Sequence, residues 1–585
     1  MEPTGFVANS GGPLQSKQKP QEFRMNQYLS RTLIAAALTT APVLTNANPD
    51  LIATAGIPAT YEDLNNHTAA PLENGVPGNR LGGLGSSIAY AGGDTFLLLP
   101  DRGPNAVEYA ASIDSTVSYI NRFHTFNLRL LPATPSDAGV QDSNTTPSAV
   151  SGLTPPFDVN GLPFILTPTL RATTLLWSPT PLNYGRSGAF TDDHGNRIGG
   201  GAPALNGFGH QFFFTGRSDG FAFDASKPAV FPNLSNNPNN ARLDPESIKV
   251  SNDGRFVFIS DEYGPYVYEF ERATGERVRS FRLPDSFAVI PNTTTNSETG
   301  NTGSDTQNVN NSRLLGRIAN KGAEGLAITP DGRTLAVALQ SSLIQDGGTG
   351  PNGAFTRIVI IDIASGTVKA QYAYPLFATK PGKFTTISEI LAVNDHQFLV
   401  DERDGKGFEG GGAASYKMLN LVDIEAPGVA DVSKNPSFLA NNPANVALRK
   451  VAFLDIVAVI KAHGLDPSID LPAKLEGITF GQDVVLNGAT KHTLYLSSDN
   501  DFLASFVLDD DLPAHVFDNP NKIFVFAFDQ NDLTGLGTAN TAQNQGWKYV
   551  PQPLRSEQFM SFDDPEQYPS ILFGLPAFNS HGYFE

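Results

Sequence analysis

Carboxylates recur at matched places along this chain, and clusters of oxygen ligands of that kind hold hard divalent cations. The residues are Asp101, Glu246, Asp261, Glu262, Glu324, Glu389, Asp401, Glu402, Glu476 and Asp499. Like charges brought close cannot all stay ionised unless a cation neutralises them. With no Cys in the chain and few His nearby, the ligands are oxygens, which suits calcium. Magnesium is the poorer match because it demands tighter octahedral geometry. Any one of these acids could instead cap its own turn or pair with Arg102, Lys321 or Arg403. Recurrence favours a shared purpose, because a repeated cost of burying charge needs a reason.

What must position these residues is a repeated hairpin. Residues 83–105, 245–265, 323–342, 388–405 and 475–501 share one grammar. Each opens on a polar or acidic residue, runs into an apolar strand, turns, runs back and closes on a polar cluster. The turns are Gly93-Asp94, Asp253-Gly254, Asp331-Gly332, Asn394-Asp395 and a longer Leu486–Thr490 loop. Asp-Gly and Asn-Asp pairs between alternating apolar runs are strong hairpin signals. Antiparallel partners have indices centred on the turn. Glu246 is therefore expected beside Asp261, Glu324 beside Gln340, Glu389 beside Asp401, Glu476 beside Asp499 and Ser86 beside Asp101. Each polar pair sits at the end away from its turn.

Residues 266–284 and 357–376 each read as a second hairpin after the first. Two hairpins in succession make a four-stranded antiparallel blade, so the fold class is all-β and the architecture a β-propeller. The pair-bearing ends of the blades then converge at one channel mouth. Counting 209–224 as a further hairpin gives six blades, or seven if 160–190 or 517–530 forms its own. Residues 106–205 and 285–320, rich in Asn, Thr, Ser, Pro and Gly, read as loop insertions. Residues 443–463 read as one inserted helix, with Asn442 as N-cap, Pro443 as first helical residue and Gly464 as its stop.

Composition narrows the class. The 585 residues carry 40 Lys+Arg against 59 Asp+Glu, a formal charge of −19, and no cysteine. That excludes a disulfide scaffold, an iron–sulfur cluster and a thiolate zinc site. The acidic excess argues against nucleic acid or an anionic membrane as the main partner. At the N-terminus, Met25 to Arg31 leads into the apolar run Thr32–Leu44 and then Thr45-Asn46-Ala47. This is the order of a secretory signal peptide, expected over 25–47 and cleaved near Ala47, with 1–24 as a leader or start-site over-call. The propeller is expected over 48–530 and a turn-rich tail over 531–585. No later apolar run is long enough for a membrane span. The protein is expected to be secreted or periplasmic.

The segments DPESIKVSNDGRFVFISDEYGP (244–265), NKGAEGLAITPDGRTLAVALQS (320–341) and LEGITF (475–480) resemble the family called "esterase-like activity of phytase". The resemblance covers most of 80–510. It implies a β-propeller with a phosphoester-hydrolase activity carried by repeated acids, here Glu246, Asp261, Glu262, Glu324, Glu389, Asp401 and Glu476. The chain departs from the pattern at Ala323, where the family often has an aromatic residue, and at Ser86-Ser87, which lack the acid. A calcium-dependent phosphoester hydrolase follows as the expectation. Asp101, Asp261, Glu262, Glu389, Asp401, Glu476 and Asp499 are its expected metal ligands. Glu246 or Glu324 would be the general base, and Arg102, Lys321 and Arg403 would bind phosphate oxygens. Lactone or carboxylic-ester hydrolysis on the same metal site is one rival, and a non-catalytic binding propeller with structural calcium is another. Gly216-Arg217-Ser218-Asp219-Gly220 matches a nucleophile elbow literally, but between two Phe-rich strands it reads as a loop.

Overall fold

The computed structural model describes residues 49–110, 114–134, 161–182, 211–218, 238–288, 316–318, 320–347, 353–439, 443–507 and 516–534. Leu153–Thr154, Phe190–Thr191, Arg197–Ile198, 549–551 and 553 are described besides. The leader, the signal segment with its cleavage site, Asn442, Asp219-Gly220 and most of the tail lie outside the described residues.

Alternating apolar residues and tight turns build five antiparallel sheets. Blade one runs outward through Ser87–Gly92, Thr95–Leu99, Arg122–Pro132 and Phe164–Leu175. Blade two comprises Pro245–Val250, Phe256–Asp261, Tyr266–Glu271 and Arg277–Arg282. Blade three comprises Ala323–Ile328, Thr334–Leu339, Phe355–Asp362 and Thr367–Pro375. Blade four comprises Thr386–Ala392, Gln397–Arg403, Lys417–Asp423 and Val451–Asp455. Blade five runs through Leu475–Phe480, Ala489–Ser498 and Asn521–Phe528, and takes its outermost strand, Asp50–Ile57, from the other end of the chain.

The five inner strands close a ring. Ser87–Gly92 packs against Pro245–Val250, then follow Ala323–Ile328, Thr386–Ala392 and Leu475–Phe480, which returns to Ser87–Gly92. Period-two alternation supplies the glue, because successive side chains leave opposite faces of a strand. Val257 and Ile259 join Ala89, Leu97 and Leu99 of blade one, whereas Phe258 between them packs with Leu326, Leu335 and Val337 of blade three. Alternate residues of the blade-two strand Phe256–Asp261 thus face the neighbouring blades on either side.

The described residues thus form five blades where the sequence pointed to six or seven. The stretch 160–190 supplies the outer strand of blade one, and 517–530 supplies the third strand of blade five. Of 209–224, Phe212–Phe213 pairs with Trp177–Ser178 in a two-stranded ribbon, and most of the rest lies outside the described residues. The inserted helix is also shorter than its apolar spacing implied. Pro443–Asn445 is a 3-10 turn, Val451–Asp455 is the outer strand of blade four, and only Ile456–Ala462 is α-helical. Asp455 makes the switch: its side chain caps the Ala458 N–H at 3.0 Å.

Candidate active-site cavity

The inner strand of each of blades two to five carries a bulge at the same place. Register slips between Pro245 and Ile248, Ala323 and Gly325, Ile387 and Glu389, and Leu475 and Gly477. A bulge leaves one residue unpaired and re-aims its side chain. The residues at these bulges are Glu246, Glu324, Ser388 and Glu476. The three glutamates line one cavity of 680 Å³ at the mouth of the ring. Glu389 stands one position later in the repeat, so it turns inward. There it is fully buried and accepts hydrogen bonds from Ser87 Oγ, Ser247 Oγ, the Leu326 N–H and Lys249 Nζ, the last at 2.7 Å. It joins four of the five inner strands and leaves the mouth to the others.

The closing residues of the hairpins complete the cavity wall. Among the described residues, seven carboxylates and seven cationic side chains line it, the latter being Arg102, Lys321, Lys380, Lys383, Arg403, Lys406 and Lys474. Two acidic triads stand out, each with ligand oxygens within 4.8 Å of one another: Asp101, Asp499 and Asp501, and Asp244, Glu246 and Glu262. The first triad is assembled by a turn in which Asn500 Oδ1 accepts from the Gly83 and Phe502 N–H groups, at 2.9 and 3.2 Å. Lys474 Nζ donates to Asp499 at 2.9 Å and also to Asp501. In the second triad Arg102 Nη1 donates to Asp244 at 2.5 Å, and Glu262 accepts from the Gly322 N–H at 3.0 Å. Each triad therefore offsets part of its charge with one internal cation.

Glu324 and Lys321 are linked through one amide. Gln340 Nε2 donates to Glu324 Oε1 at 2.8 Å, and Lys321 Nζ donates to Gln340 Oε1 at 2.7 Å. Glu324 Oε2 is buried and has no hydrogen-bond partner among the described residues. Across the cavity Arg403 donates to Glu476 at 2.5 Å and to Ser388 Oγ at 2.7 Å.

Burial dominates the electrostatics. It pushes the Glu246 carboxyl well above its usual range, with Glu324 and Asp244 adding to the rise. Burial, then Glu262 and Glu476, does the same to Glu324. Burial followed by repulsion from Asp499 raises Asp101. Asp499 is pushed up to about 6 by burial, with Lys474 holding it down. Burial lowers Lys321, although Glu262 and Glu324 work in the other direction. Glu246, only 8% exposed, makes no hydrogen bond among the described residues. The oxygen triads and Glu246, which makes no hydrogen bond among the described residues, fit a hard cation, which would satisfy both.

Among the residues singled out from sequence, Asp101, Arg102, Glu246, Glu262, Lys321, Glu324, Arg403, Glu476 and Asp499 line the cavity. Asp261 does not; its Oδ1 accepts the Asp244 and Tyr263 N–H groups, each at 3.1 Å. Asp401 does not line it either; it is fully buried, with both carboxylate oxygens without a hydrogen-bond partner among the described residues. Glu402 points outward and accepts from Tyr374, Asn420 and Lys450. Sequence reasoning passed over Asp244, Asp501, Lys474 and the lysines at 380, 383 and 406. The repeat could have found Asp244 and Lys474, since both lie two residues before a bulged glutamate.

Residues 79–502 match the family described as "Phytase-like: Esterase-like activity of phytase". The chain belongs to this family. Within it, the segments that carried the resemblance are those whose bulged glutamates reach the cavity. A fungal relative, "Uncharacterized secreted protein" of Arthroderma benhamiae, is 35% identical over 191 residues, 30% of this chain and 36% of that protein. The matched part is thus well under half of the relative's length. Among solved structures, a putative 6-phosphogluconolactonase from Bacteroides uniformis and a periplasmic gluconolactonase from Pseudomonas aeruginosa are 9% and 12% identical. Each match covers 75% of this phytase-like chain and 88% of the other, at a TM-score of 0.26. Among the described residues no helix is long and apolar enough to cross a membrane.

Proposed function

We propose that this phytase-like propeller is an exported hydrolase of phosphate esters whose cavity holds a divalent cation, calcium by the chemistry of its ligands. The observation that carries the reading is the mixed wall: seven carboxylates beside seven cationic side chains among the described residues. A phosphate ester needs both, a cation site for its metal and ammonium or guanidinium groups for its remaining oxygens. A neutral lactone or carboxylic ester has no use for the cationic half, which favours phosphoester over those rivals. The signal-like order of 25–47 and the secreted relative support export.

Asp244, Glu246 and Glu262 would hold the cation, with Asp101, Asp499 and Asp501 as a second oxygen set. A cation held there supplies Lewis acidity and offsets the charge of the ester. Glu324 Oε2, buried and without a hydrogen-bond partner among the described residues, would take the proton of an attacking water. As the water oxygen bonds to phosphorus, the ester P–O bond breaks, and the leaving alkoxide takes a proton from the Lys321 ammonium. Gln340 fixes both groups, because only one orientation of its amide can donate to a carboxylate and accept from an ammonium. Arg102 and Arg403 orient the non-bridging oxygens.

The test is phosphate release from 4-nitrophenyl phosphate and its diester, with chelator and after calcium or magnesium is restored. Delta-gluconolactone runs in parallel. Chelator-sensitive phosphate release is expected. Lactone opening without phosphoester turnover would overturn the assignment.

A further inference from the structure

We infer that Asn320 is a positioning residue: its amide aims the Arg102 guanidinium at the anion in the cavity and keeps it off Glu262. The inference rests on the phosphoester reading for the nature of the anion, and not for turnover. Asn320 lies in the turn that leads into blade three, where the Lys321 N–H donates to Ile318 O at 3.2 Å. Its φ is +55°, in the left-handed region. Asparagine enters that region more readily than most residues, but glycine does so with no steric cost. Glycine would therefore serve the backbone alone, and the amide has a second task. Its Oδ1 accepts from Arg102 Nη1 at 2.5 Å.

Arg102 follows the second strand of blade one, and groups from blades two and three meet on it. Nη1 also donates to Asp244 Oδ2, at 2.5 Å, and the Arg102 N–H donates to Asp244 Oδ1 at 3.1 Å. Nη1 carries two N–H bonds, so Asp244 and Asn320 use both. A planar fork gripped by two acceptors has a fixed plane. With Asn320 removed, one grip remains and other carboxylates compete for the group. Glu262 Oε2 stands 3.8 Å from Nη1, and Asp114 Oδ2 stands 3.9 Å from Nη2. An amide, unlike a further carboxylate, holds the guanidinium without adding a negative charge that would repel the anion. The same turn fixes Glu262. The Gly322 N–H donates to Glu262 Oε1 at 3.0 Å, and a Cβ on Gly322 would lie 2.3 Å from Glu262 O. Residues 320–322 therefore hold apart the group that binds the anion and a carboxylate that would bind the cation.

Asn320→Gly keeps the left-handed turn and removes the amide. Orthophosphate is titrated calorimetrically into the full-length calcium-loaded protein as wild type, Asn320→Gly, Arg102→Gln and the double variant. Asn320→Gly is expected to weaken orthophosphate binding about tenfold with the melting temperature unchanged, as for one lost hydrogen bond to a charged group. In the Arg102→Gln background the same change should cost nothing, because its effect runs through Arg102. A crystal structure of Asn320→Gly should show the guanidinium moved onto Glu262. Unchanged affinity in Asn320→Gly, equal losses in both backgrounds, or a guanidinium that stays in place would each overturn the inference. The affinity and crystal structure of Asn320→Gly decide the matter even where Arg102→Gln does not fold. A wild type that binds no orthophosphate would count against the phosphoester reading, and the position of Arg102 in the variant crystal would then test Asn320 by itself.

Discussion

Gln340 donates to Glu324 at 2.8 Å while accepting from Lys321 at 2.7 Å, so one amide sets the distance between a carboxylate and an ammonium in the cavity. Its own backbone is fixed from both sides: the N–H bonds to Gly322 O and the carbonyl accepts from the Ile387 N–H, each at 3.0 Å. Replacing Gln340 by Leu keeps the bulk and removes both contacts. Turnover should fall by about 10-fold or more with KM little changed, because orientation and not binding is lost. Steady-state kinetics on a phosphate monoester separates the two parameters. Gln340→Glu should fare worse, since a third carboxylate would sit beside Glu324.

Asp401 and Glu389 are direct partners across the inner pair of blade four, yet only Glu389 is hydrogen-bonded. Burial pushes the Asp401 carboxyl up to about 8, with Arg403 and Lys417 holding it down. Its folded value thus lies above the unfolded value of about 3.9. The sign follows: stability from the protonated form is complete below about pH 4 and is lost as pH rises through about 8. Asp401→Asn stays neutral throughout. Urea denaturation at pH 5 and pH 9 should show the wild type losing up to roughly 4 kcal/mol more than the variant. Parallel losses would remove Asp401 from the pH response.

The Lys249–Glu389 pair is wholly internal, at 2.7 Å with side chains 5% and 0% exposed. Burial raises the Glu389 carboxyl and lowers the Lys249 ammonium, so each charge persists through the other. Glu389→Ala should cost about 3–5 kcal/mol by stranding the lysine. The double variant Lys249→Met/Glu389→Leu should recover much of that loss. Chemical denaturation of the two single variants and the double variant measures the coupling.

Gly325 and Gly477 occupy the positions equivalent to Glu389, where adjacent inner strands nearly touch. A Cβ on Gly325 would meet Ile390 N at 2.8 Å, and one on Gly477 would meet Ile88 N at 2.7 Å. Backbone atoms cannot step aside as a side chain can. Either Gly→Ala change should destabilise by roughly 1–3 kcal/mol, read as a shift in the urea midpoint with unchanged slope.

Much of this was legible in the sequence. Asp253-Gly254 and Asp331-Gly332 between alternating strands gave the hairpins, and turn-centred pairing gave the Glu389–Asp401 register and the Glu324–Gln340 contact. The blade count was not legible, because the outer strand of blade five comes from Asp50–Ile57, far from its partners in sequence. Val451–Asp455 and Ile456–Ala462 share one apolar spacing, so strand and helix merged until the Asp455 cap divided them. Glu389 looked like the other glutamates because a shift of one residue is slight in sequence, whereas on a strand it reverses the face. The Asp101–Asp499–Asp501 triad joins the two ends of the ring, and no local pattern announces it.

The most direct measurement is the Glu324→Gln variant, assayed for phosphoester turnover and for calcium affinity in the same preparation. If Glu324 Oε2 receives the proton of the attacking water, turnover should drop by roughly 10²–10⁴-fold while calcium affinity and the calcium-dependent rise in melting temperature persist. Unchanged turnover would contradict the assignment of Glu324 as general base, and unchanged turnover in Glu246→Gln as well would contradict a hydrolytic role for this cavity.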